Sequence, residues 1–340
     1  MKNLVEILVN ASEKAACVAR SCCSGSSDEV LLVAEKGIGE ANLRFETDFK
    51  TIADVLAQEA ARSEIASCFP DLAKYVRGEE CYEINGVRIA LQNSAEDTAK
   101  LLSTLVTPRV AKRMAEAAHC NTEHGFFDNL PNKFSKIDTS DLGIWIDPID
   151  ATAEFISGVR GEANADKGLS CVTVLIGAYL RSTGEPVIGV INQPFYENGK
   201  GRVIWGVDYE DIQEWGGSDM DNSENVILMS GAEKPEISTK FKFAGWEVKA
   251  IPGAGHKLLK VALGEATAYI VSKGTTFRWD TCAPHAILKA KGGNLISYTT
   301  HLPIKYNDEI STNTNYCNHE GIIAYSDPSV LEKIKNIILE

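Results

Sequence analysis

Acidic residues at turn-like positions are the first feature of this 340-residue chain that could do chemistry. In the segment 142–152 an apolar run is followed by Asp147, a proline, Ile149 and Asp150. Two carboxylates three positions apart, with the Ile149 carbonyl between them, can converge on one point at a strand-to-helix turn. Oxygen ligands of this kind suit a hard cation such as Mg²⁺. The alternative is a helix cap beside a solvated acid, and this segment alone does not decide between the two.

Three further acidic positions lie beside predicted strand or helix ends, namely Asp54, the pair Glu79–Glu80, and Asp280. Clustered carboxylates repel one another and need compensating cations. Gathered round two or three Mg²⁺ ions they would support attack of water on a phosphoryl group, because one ion activates the water and another stabilises the leaving oxygen. The alternative is a scatter of surface acids. Spacing does not decide, since Asp54 and Asp280 are 226 positions apart.

The elements that must position these acids follow from the hydrophobic pattern. The apolar run 144–146 predicts a buried strand that ends before Pro148, because proline donates no hydrogen bond to a sheet, and Asp150 and Thr152 are suited to opening a helix. Helices are predicted over 5–22, 50–68, 94–114 (with Pro108 able to open a further helix), 257–263, 282–291 and from 329 onward. Strands are predicted over 168–178, 186–193, 202–207, 225–229, 268–271 and 321–325, the first three as antiparallel neighbours.

The composition of the chain argues against some classes of function. The chain is 44% hydrophobic and 24% charged, which is typical of a globular protein with a substantial core. The net charge of −13 argues against a nucleic acid polymer or an anionic membrane as a partner. We find no run of 18 apolar residues and no signal peptide. Nine cysteines without zinc-type pairs favour free thiols and a cytoplasmic location, although His119, Cys120 and His124 are close enough in sequence to consider as a metal cluster.

The order of the acidic segments resembles a known signature. The segments are Lys50-Thr-Ile-Ala-Asp54, Glu79-Glu80, Asp147-Pro-Ile-Asp-Ala-Thr152 and Trp279-Asp-Thr-Cys-Ala-Pro284. They are similar to those of the lithium-sensitive, Mg²⁺-dependent phosphomonoesterases, which include inositol monophosphatases, bisphosphate nucleotidases and inositol polyphosphate 1-phosphatases. The resemblance spans nearly the whole chain. Five segments resemble most closely those of the inositol polyphosphate 1-phosphatases, namely 50–58, 168–177, 189–195, 253–259 and 275–288, and three of them, 168–177, 189–195 and 253–259, lie away from the acids.

The resemblance implies a role for each matching residue. It implies that metals are held by Glu79, Glu80, Asp147, the Ile149 carbonyl, Asp150 and Asp280. It implies that Asp54 and Thr152 position and deprotonate the attacking water. Substrate contacts are expected from Asp150, Ala151, Thr152, Ser230, Gly231, Glu233, Gly253, Ala254, Lys257, Thr275 and His285, although a structural role for His285 is the favoured alternative. Gly253–Gly255 is a candidate phosphate cradle, and a plain turn is the alternative.

The resemblance also implies the fold. We expect a layered αβαβα architecture with two sheets between helix layers, like the sugar phosphatases. The polar stretch 216–224 is the expected boundary between an N-terminal α+β domain (1–220) with most metal ligands and a C-terminal α/β domain (221–340) with the substrate loops and the last ligand.

Two departures from the signature concern the substrate. Ala151 stands where Gly or Ser is usual, and the segment Ala153-Glu154-Phe155 is closer to the nucleotidase pattern. The first hypothesis is a Mg²⁺-dependent, Li⁺-inhibited enzyme that removes the 1-phosphate from inositol 1,4-bisphosphate and inositol 1,3,4-trisphosphate. The second is a 3′(2′),5′-bisphosphate nucleotidase converting adenosine 3′,5′-bisphosphate to AMP, or one protein with both activities. A third is an inactive relative that binds inositol phosphates. We expect a monomer.

Overall fold

The computed structural model describes residues 3–23, 31–37, 48–121, 132–164, 167–217, 225–307 and 316–339. None of the helices within them combines the length and apolar character needed to cross a membrane.

The described residues form ten α-helices, three short 3₁₀ helices and fifteen strands. The helices are α1 (Leu4–Ser21), α2 (Ile52–Cys68), α3 (Ala95–Leu102), α4 (Pro108–Ala118), α5 (Thr152–Val159), α6 (Tyr196–Gly199), α7 (Pro235–Phe243), α8 (Ala254–Ala262), α9 (Arg278–Ala290) and α10 (Pro328–Leu339). The strands are β1 (Val33–Glu35), β2 (Phe49–Thr51), β3 (Val76–Gly78), β4 (Glu83–Ile84), β5 (Val87–Arg88), β6 (Leu142–Asp150), β7 (Thr173–Leu180), β8 (Pro186–Gln193), β9 (Arg202–Tyr209), β10 (Ile212–Gly216), β11 (Val226–Met229), β12 (Glu247–Ala250), β13 (Ala268–Val271), β14 (Asn294–Ser297) and β15 (Ile322–Tyr325).

The first large sheet has six strands in the order β10-β9-β8-β7-β6-β3. The predicted antiparallel pairing of β7, β8 and β9 is confirmed. At the other end of the sheet β3 runs parallel to β6. Parallel strands end at the same sheet edge, so the acids that follow β3 and those that end β6 are brought side by side.

The second large sheet has five strands in the order β12-β11-β13-β15-β14. Its β11 is parallel to both β12 and β13, whereas β15 is antiparallel to β13 and β14. The loops after β11, β12 and β13 therefore leave the sheet at one common edge, which is where ligands bind in many α/β proteins.

The sheets and helices stack in five layers. One core cluster joins α1, α2 and α4 to the first sheet, a second places α8 and α9 between the two sheets, and a third joins the second sheet to α7 and α10. Alternate residues of β11 supply the two faces, since Leu228 belongs to the second cluster and Ile227 to the third. The expected αβαβα fold is confirmed.

Helix α9 approaches the first sheet closely because three glycines face it. Gly177, Gly189 and Gly206 are register partners on β7, β8 and β9. A Cβ at these positions would lie 2.5 Å, 2.0 Å and 2.7 Å from backbone atoms of Ala283 or Ile287. The close packing of α9 on the first sheet brings its first turn, with Asp280, to the edge where β6 ends.

Four expectations about individual elements need correction or completion. Strand β6 continues through Pro148 to Asp150, with a register irregularity between Asp147 and Asp150 that accommodates the proline. The predicted helix 94–114 is two helices, α3 and α4, and Pro108 opens the second. The short elements α7, β12 and β14 carry no strong periodic pattern and were not predicted. The boundary stretch 216–224 lies largely outside the described residues, so the two-domain division stays a prediction.

Candidate active site

Three buried carboxylates form the centre of the site. Asp147 and Asp150 come from the end of β6, and Asp280 comes from the first turn of α9. One oxygen from each lies within 4.8 Å of the others. All three side chains are buried, so their charges are hardly screened by water. The structure thus brings together residues up to 133 positions apart in the sequence.

The local backbone explains how β6 supplies two acids to one point. In a regular strand, residues three apart point to opposite faces, but the register of β6 with β7 shifts between Asp147 and Asp150. Ala151 then adopts a left-handed conformation (φ 69°, ψ 48°) and is the N-cap of α5. The predicted turn is therefore present, with Ala151 rather than Asp150 next to the helix.

The hydrogen bonds of the three acids are unequal. Asp150 Oδ2 accepts from Thr173 Oγ1 at 3.2 Å and from the Gly255 amide at 3.0 Å. Asp280 Oδ2 accepts from the Phe277 amide at 2.6 Å. Asp147 Oδ1 is buried and has no hydrogen-bond donor among the described residues. An unsatisfied buried carboxylate oxygen is costly unless a ligand compensates it.

The electrostatics at these three carboxylates favour the binding of a cation. Burial, reinforced by the neighbouring acids, raises the pKa of Asp147 and of Asp280 well above the usual range. Burial also raises the pKa of Asp150 to about 6, although Lys257 acts against it. A hard divalent cation would relieve both the repulsion and the unsatisfied oxygen, and carboxylates are its preferred ligands. The residues present therefore fit a metal ion.

Asp54 and Thr152 lie against each other, as the resemblance implies. Thr152 Oγ1 is 3.3 Å from Asp54 Oδ1 and 3.3 Å from the Ile149 carbonyl. The other oxygen of Asp54 accepts from the amide and hydroxyl of Thr51, in a capping box that opens α2. Burial raises the pKa of Asp54 to about 6. The arrangement holds Asp54 rigidly, with Oδ1 directed at the Thr152 hydroxyl.

Glu79 and Glu80 follow β3 and share one lysine. The Lys36 ammonium lies 2.6 Å from Glu79 Oε1 and 2.8 Å from Glu80 Oε1, and its side chain is 3% exposed. Burial raises the pKa of Glu80 to about 8 despite this lysine. Burial opposes the charge on Lys36, but the two glutamates raise its pKa well above the usual value. The charge of Glu79 also raises the pKa of Asp147, of Asp150 and of Asp280.

The backbone at Glu80 is fixed by a glutamine from α2. Gln58 Nε2 donates to the Glu80 carbonyl at 2.6 Å, and the Glu80 amide donates to Gln58 Oε1 at 3.0 Å. A Cβ at Gly78 would lie 1.9 Å from Gln58 Oε1, so the glycine makes room for this contact.

The predicted substrate residues gather at the common edge of the second sheet. Ser230, Gly231 and Glu233 follow β11, and Glu233 accepts hydrogen bonds from the amide and hydroxyl of Ser272 after β13. Half-buried Thr275 lies in the same loop as Ser272. Ser230, Glu233 and Thr275 are partly exposed, and Glu233 ties the segment after β11 to the segment after β13.

The candidate phosphate cradle, which comprises Gly253, Ala254 and Gly255, directs its backbone towards Asp150. Gly253 has φ +78°, and a Cβ there would lie 3.2 Å from Asp150 Oδ2. Because the Gly255 amide already donates to Asp150, that donor is committed within the protein. The N-terminus of α8 therefore stabilises the Asp150 carboxylate.

Lys257 is a buried cation beside the carboxylates. Its side chain donates to the Ile251 carbonyl at 3.0 Å and lies 5.1 Å from the centre of the Tyr269 ring. Burial lowers its pKa to about 8, and Asp150 and Asp280 act in the opposite direction. Lys257 is therefore not a solvated helix lysine.

His285 is placed differently from the other predicted substrate residues. It is 1% exposed, and its two ring nitrogens lie 3.0 Å from Tyr306 Oη and 2.6 Å from Asn294 Oδ1. Burial lowers its pKa to about 3. Both nitrogens thus have partners inside the protein, which supports the structural role and leaves no atom for a substrate.

The segment 153–155, which is closer to the nucleotidase pattern, also makes contacts within the protein. Glu154 accepts from the Gly168 amide, and Phe155 is buried with its ring 6.3 Å from that of Phe195. Only Ala153 of this segment is exposed.

Several residues that support the site were not singled out from the sequence. They are Lys36, Thr51, Gln58 and Thr173, which contact Glu79 and Glu80, Asp54, the Glu80 backbone and Asp150. The Thr51–Asp54 spacing is a capping-box signal that could have been recognised. The other three act across the fold and leave no local pattern.

Comparison with known proteins identifies the family. The sequence model described as "Inositol monophosphatase family" matches residues 1–331. The chain belongs to the inositol monophosphatase family. Mouse inositol polyphosphate 1-phosphatase is 36% identical over 335 residues, covering 87% of this chain and 83% of that protein. Human 3′(2′),5′-bisphosphate nucleotidase 1 is 29% identical over 322 residues, covering 91% of each.

A solved structure agrees on the fold. The extragenic suppressor protein suhB from Bartonella henselae superposes with a TM-score of 0.57 over 98% of this chain and 96% of that one, at 17% identity. The family is one of metal-dependent phosphatases, and this member keeps an acidic cluster able to hold a metal ion. The protein is accordingly a phosphoric monoester hydrolase of this family.

Proposed function

We propose that this protein is a Mg²⁺-dependent, Li⁺-inhibited phosphatase that removes the 1-phosphate of inositol polyphosphates, with inositol 1,4-bisphosphate and inositol 1,3,4-trisphosphate as substrates. The observation that carries the proposal is the convergence of Asp147, Asp150 and Asp280 within 4.8 Å. The choice of substrate is supported by the 36% identity to the mouse 1-phosphatase.

The metal site would be built by the acids at the ends of β3 and β6 and at the start of α9. We propose as ligands Glu79, Asp147, the Ile149 carbonyl, Asp150 and Asp280, with Glu80 at a further, weaker position. When bound, Mg²⁺ supplies charge compensation and activates a water nucleophile. Lys36 already neutralises part of the charge of Glu79 and Glu80, which fits weaker binding on that side.

Thr152 and Asp54 would remove the proton from the attacking water. Asp54 Oδ2 is held by Thr51, so Oδ1 accepts the Thr152 hydroxyl proton. As Thr152 Oγ1 passes its proton to Asp54, it can take one from a water on its open side. The pKa of Asp54, raised to about 6 by burial, makes this carboxylate a stronger base than a solvated aspartate.

The substrate would lie between the acids and the edge of the second sheet. Thr152 is the first residue of α5, so the phosphate would meet the amide groups and positive dipole end of this helix. Lys257 would add a positive charge from α8. The partly exposed loops of Ser230–Glu233 and Thr275 would contact the remainder of the inositol ring and its other phosphates.

A panel of substrates tests the proposal. Phosphate release should be measured from inositol 1,4-bisphosphate, inositol 1,3,4-trisphosphate and adenosine 3′,5′-bisphosphate, each with Mg²⁺, with chelator, and with added Li⁺. We expect turnover of both inositol phosphates that requires Mg²⁺ and falls with Li⁺. Rapid turnover of the nucleotide with neglect of the inositol phosphates would instead establish a bisphosphate nucleotidase, which the 29% identity to the human enzyme and the segment 153–155 favour as the second candidate.

The same panel addresses the inactive alternative. Binding of inositol phosphates without phosphate release from any substrate would identify a binding protein, which the complete set of acids argues against. A monomeric state and a cytoplasmic location remain parts of the proposal, and size-exclusion chromatography with light scattering checks the first.

A further inference from the structure

Among the described residues, the three aspartates of the candidate site are the only group of potential metal ligands that lie this close together. The cluster of His119, Cys120 and His124 considered from the sequence is not such a group. His119 Nε2 lies 2.8 Å from Thr98 Oγ1, and His124 lies outside the described residues. The contacts that hold the three aspartates in place therefore determine how well the protein can bind a metal ion.

A segment near the end of the chain, residues 316–319, lies against the loop that leads into α9. The Arg278 amide donates to the Tyr316 carbonyl at 3.0 Å. The Asn318 amide donates to the Thr276 carbonyl at 2.8 Å. The two segments run antiparallel. These backbone hydrogen bonds fix the path of the chain immediately before the first turn of α9.

The side chain of Asn318 adds hydrogen bonds to this pairing. The residue is 8% exposed, and its Nδ2 lies 3.1 Å from Thr276 Oγ1. The same nitrogen lies 3.2 Å from the Phe277 carbonyl oxygen and 3.2 Å from Thr281 Oγ1. An amide nitrogen has two hydrogens to donate, so one of them is shared between two acceptors. Asn318 is therefore bonded both to the loop before α9 and to the first turn of that helix.

The first turn of α9 depends on this support because its N-cap residue is Phe277. A phenylalanine side chain has no oxygen to accept hydrogen bonds from the first helical amides, unlike the residues that usually occupy this position. The Phe277 amide donates to Asp280 Oδ2 at 2.6 Å, and the Phe277 carbonyl accepts from the Thr281 hydroxyl at 3.0 Å. The Phe277 backbone thus orients the Asp280 carboxylate. Asn318 and Thr281 in turn hold that backbone in place.

Support by a neutral amide suits a site that is crowded with acids. One oxygen of Asp280 lies within 4.8 Å of an oxygen of Asp147 and of one of Asp150, and like charges at that distance repel. Without a cation, this repulsion favours displacement of the first turn of α9 away from β6. Asn318 opposes the displacement without adding a charge, so it does not compete with a metal ion for the carboxylates.

We propose that Asn318 is a positioning residue for the metal site. It holds Asp280 in the geometry that binds Mg²⁺, by fixing the backbone at Phe277. This role rests on the proposed function, because Asp280 is a ligand only if the site binds Mg²⁺. Residues that orient the ligands of a metal typically contribute a factor of roughly 10 to 100 in metal affinity or activity. We therefore expect Asn318→Ala to weaken Mg²⁺ binding roughly 10-fold.

The test measures binding of Mg²⁺ alone to the full-length protein by isothermal titration calorimetry. The variants are Asn318→Ala, Thr281→Val and the double variant. Both single variants should raise the Kd roughly 10-fold, and the double variant should bind no more weakly than Asn318→Ala, because all three break the same link. In phosphate release, the Mg²⁺ concentration that gives the half-maximal rate should rise by the same factor, while kcat at saturating Mg²⁺ changes little.

Asn294→Ala is the matched control. Asn294 Oδ1 lies 2.6 Å from His285 Nε2, so this asparagine also bonds to a side chain of α9, further along the helix than Asp280. Its replacement should lower the melting temperature but leave the Kd for Mg²⁺ within roughly twofold of the parent. The control therefore separates positioning of the ligand from the general stability of α9.

A folded Asn318→Ala with the parent's Kd for Mg²⁺ would overturn the inference. An equal weakening in Asn294→Ala would also overturn it, since general loosening of α9 would then explain the result. If circular dichroism shows that Asn318→Ala does not fold, Thr281→Val decides alone, because it removes the link but keeps the contact of Asn318 with Thr276. A parent that binds no Mg²⁺ would overturn the proposed function together with this inference. A parent that binds Mg²⁺, with Asn318→Ala unaffected, would leave the proposed function in place and overturn only the role of Asn318.

Discussion

The two sheets contribute to the site in different ways. At the edge of the first sheet, Asp147 and Asp150 are buried, close to a third acid, and short of positive charge. At the edge of the second sheet, Ser230 and Glu233 are partly exposed, and Glu233 is satisfied by the amide and hydroxyl of Ser272. The first edge needs a ligand to be electrostatically complete, whereas the second is already complete without one.

We infer from this difference that the edge of the first sheet carries out catalysis and the edge of the second sheet selects the substrate. A bound cation stabilises a buried group of like charges, so we expect substitution of these acids to weaken metal binding. Partly exposed loops with internal hydrogen bonds can change their outer side chains at little cost in stability. We therefore expect substitutions at the first edge to affect turnover and those at the second to affect the choice and affinity of substrate.

The largest expected effect comes from Asp147→Asn. It removes a proposed ligand whose Oδ1 has no donor among the described residues, and kcat/KM should fall by roughly three orders of magnitude. The metal-free variant should nevertheless unfold at a higher temperature than the metal-free parent at pH 8, because one buried carboxylate no longer has to ionise. Phosphate release and thermal unfolding in chelator measure the two effects.

The pH dependence of the free energy of unfolding is the control for the Asp147→Asn experiment. Burial and neighbouring acids raise the pKa of Asp147 in the folded state, so the folded protein binds this proton more tightly than the unfolded chain does. The free energy of unfolding of the metal-free parent should therefore fall as pH rises above about 4. The fall should be smaller in the variant. Equal pH profiles in parent and variant would contradict the electrostatic account.

Thr152→Val is expected to have the next largest effect. It keeps the shape of the side chain but removes the hydroxyl that lies 3.3 Å from Asp54 Oδ1, and kcat should fall roughly 100-fold with KM little changed. Ser157→Ala on the same helix removes a hydroxyl that only donates to the Glu154 carbonyl. This control should keep kcat within roughly twofold. A similar loss in both variants would show that helix integrity, not proton transfer, explains the result.

Lys257→Met tests the second edge. Loss of its charge should raise KM for a phosphorylated substrate roughly 10-fold while kcat changes less, because the proposed charge-assisted hydrogen bond to the substrate would be removed. Lys260→Met, one turn further along α8, removes a lysine that pairs with Glu265 and should leave KM unchanged. If Lys257→Met lowers kcat and leaves KM unaltered, the residue belongs functionally with the first edge.

The same contrast explains what could be predicted from the sequence. Asp147 and Asp150 stand in a short segment whose apolar strand, proline and acids are all visible locally. Their meeting with Asp280 was expected only through the resemblance, because it depends on α9 packing on glycines of three other strands. Lys36 is the opposite case, since a lysine after a three-residue strand gives no local sign that it will be buried against two glutamates.

At Pro148 and His285 the tertiary structure differs from what the local sequence predicted. Pro148 was expected to end its strand because it has no backbone N–H to donate. The register of β6 shifts at this point and accommodates the proline, so β6 continues to Asp150. His285 was included among the expected substrate contacts through the resemblance, with a structural role as the favoured alternative. Its orientation on α9 directs it into the core, towards Tyr306 and Asn294. Tertiary packing decides which face of a helix contacts the site, and the local sequence does not reveal it.

The smallest expected effect concerns Ala151, the residue that links β6 to α5. Its left-handed backbone (φ 69°) costs an alanine roughly 1 kcal/mol, which glycine avoids, although glycine loses roughly 0.5–1 kcal/mol through its freedom in the unfolded chain. Ala151→Gly should therefore leave the free energy of unfolding within roughly 0.5 kcal/mol of the parent, on the stabilising side.

The sharper measurement compares this variant with Ala153→Gly, two residues further on in α5. Ala153 is exposed and helical, so the same substitution there has only the unfolded-state cost and should destabilise by roughly 0.5–1 kcal/mol. Urea unfolding of both variants gives the two differences under identical conditions. If both glycines destabilise equally, the left-handed turn at Ala151 is not present in solution, and the close approach of Asp147 and Asp150 would need another explanation.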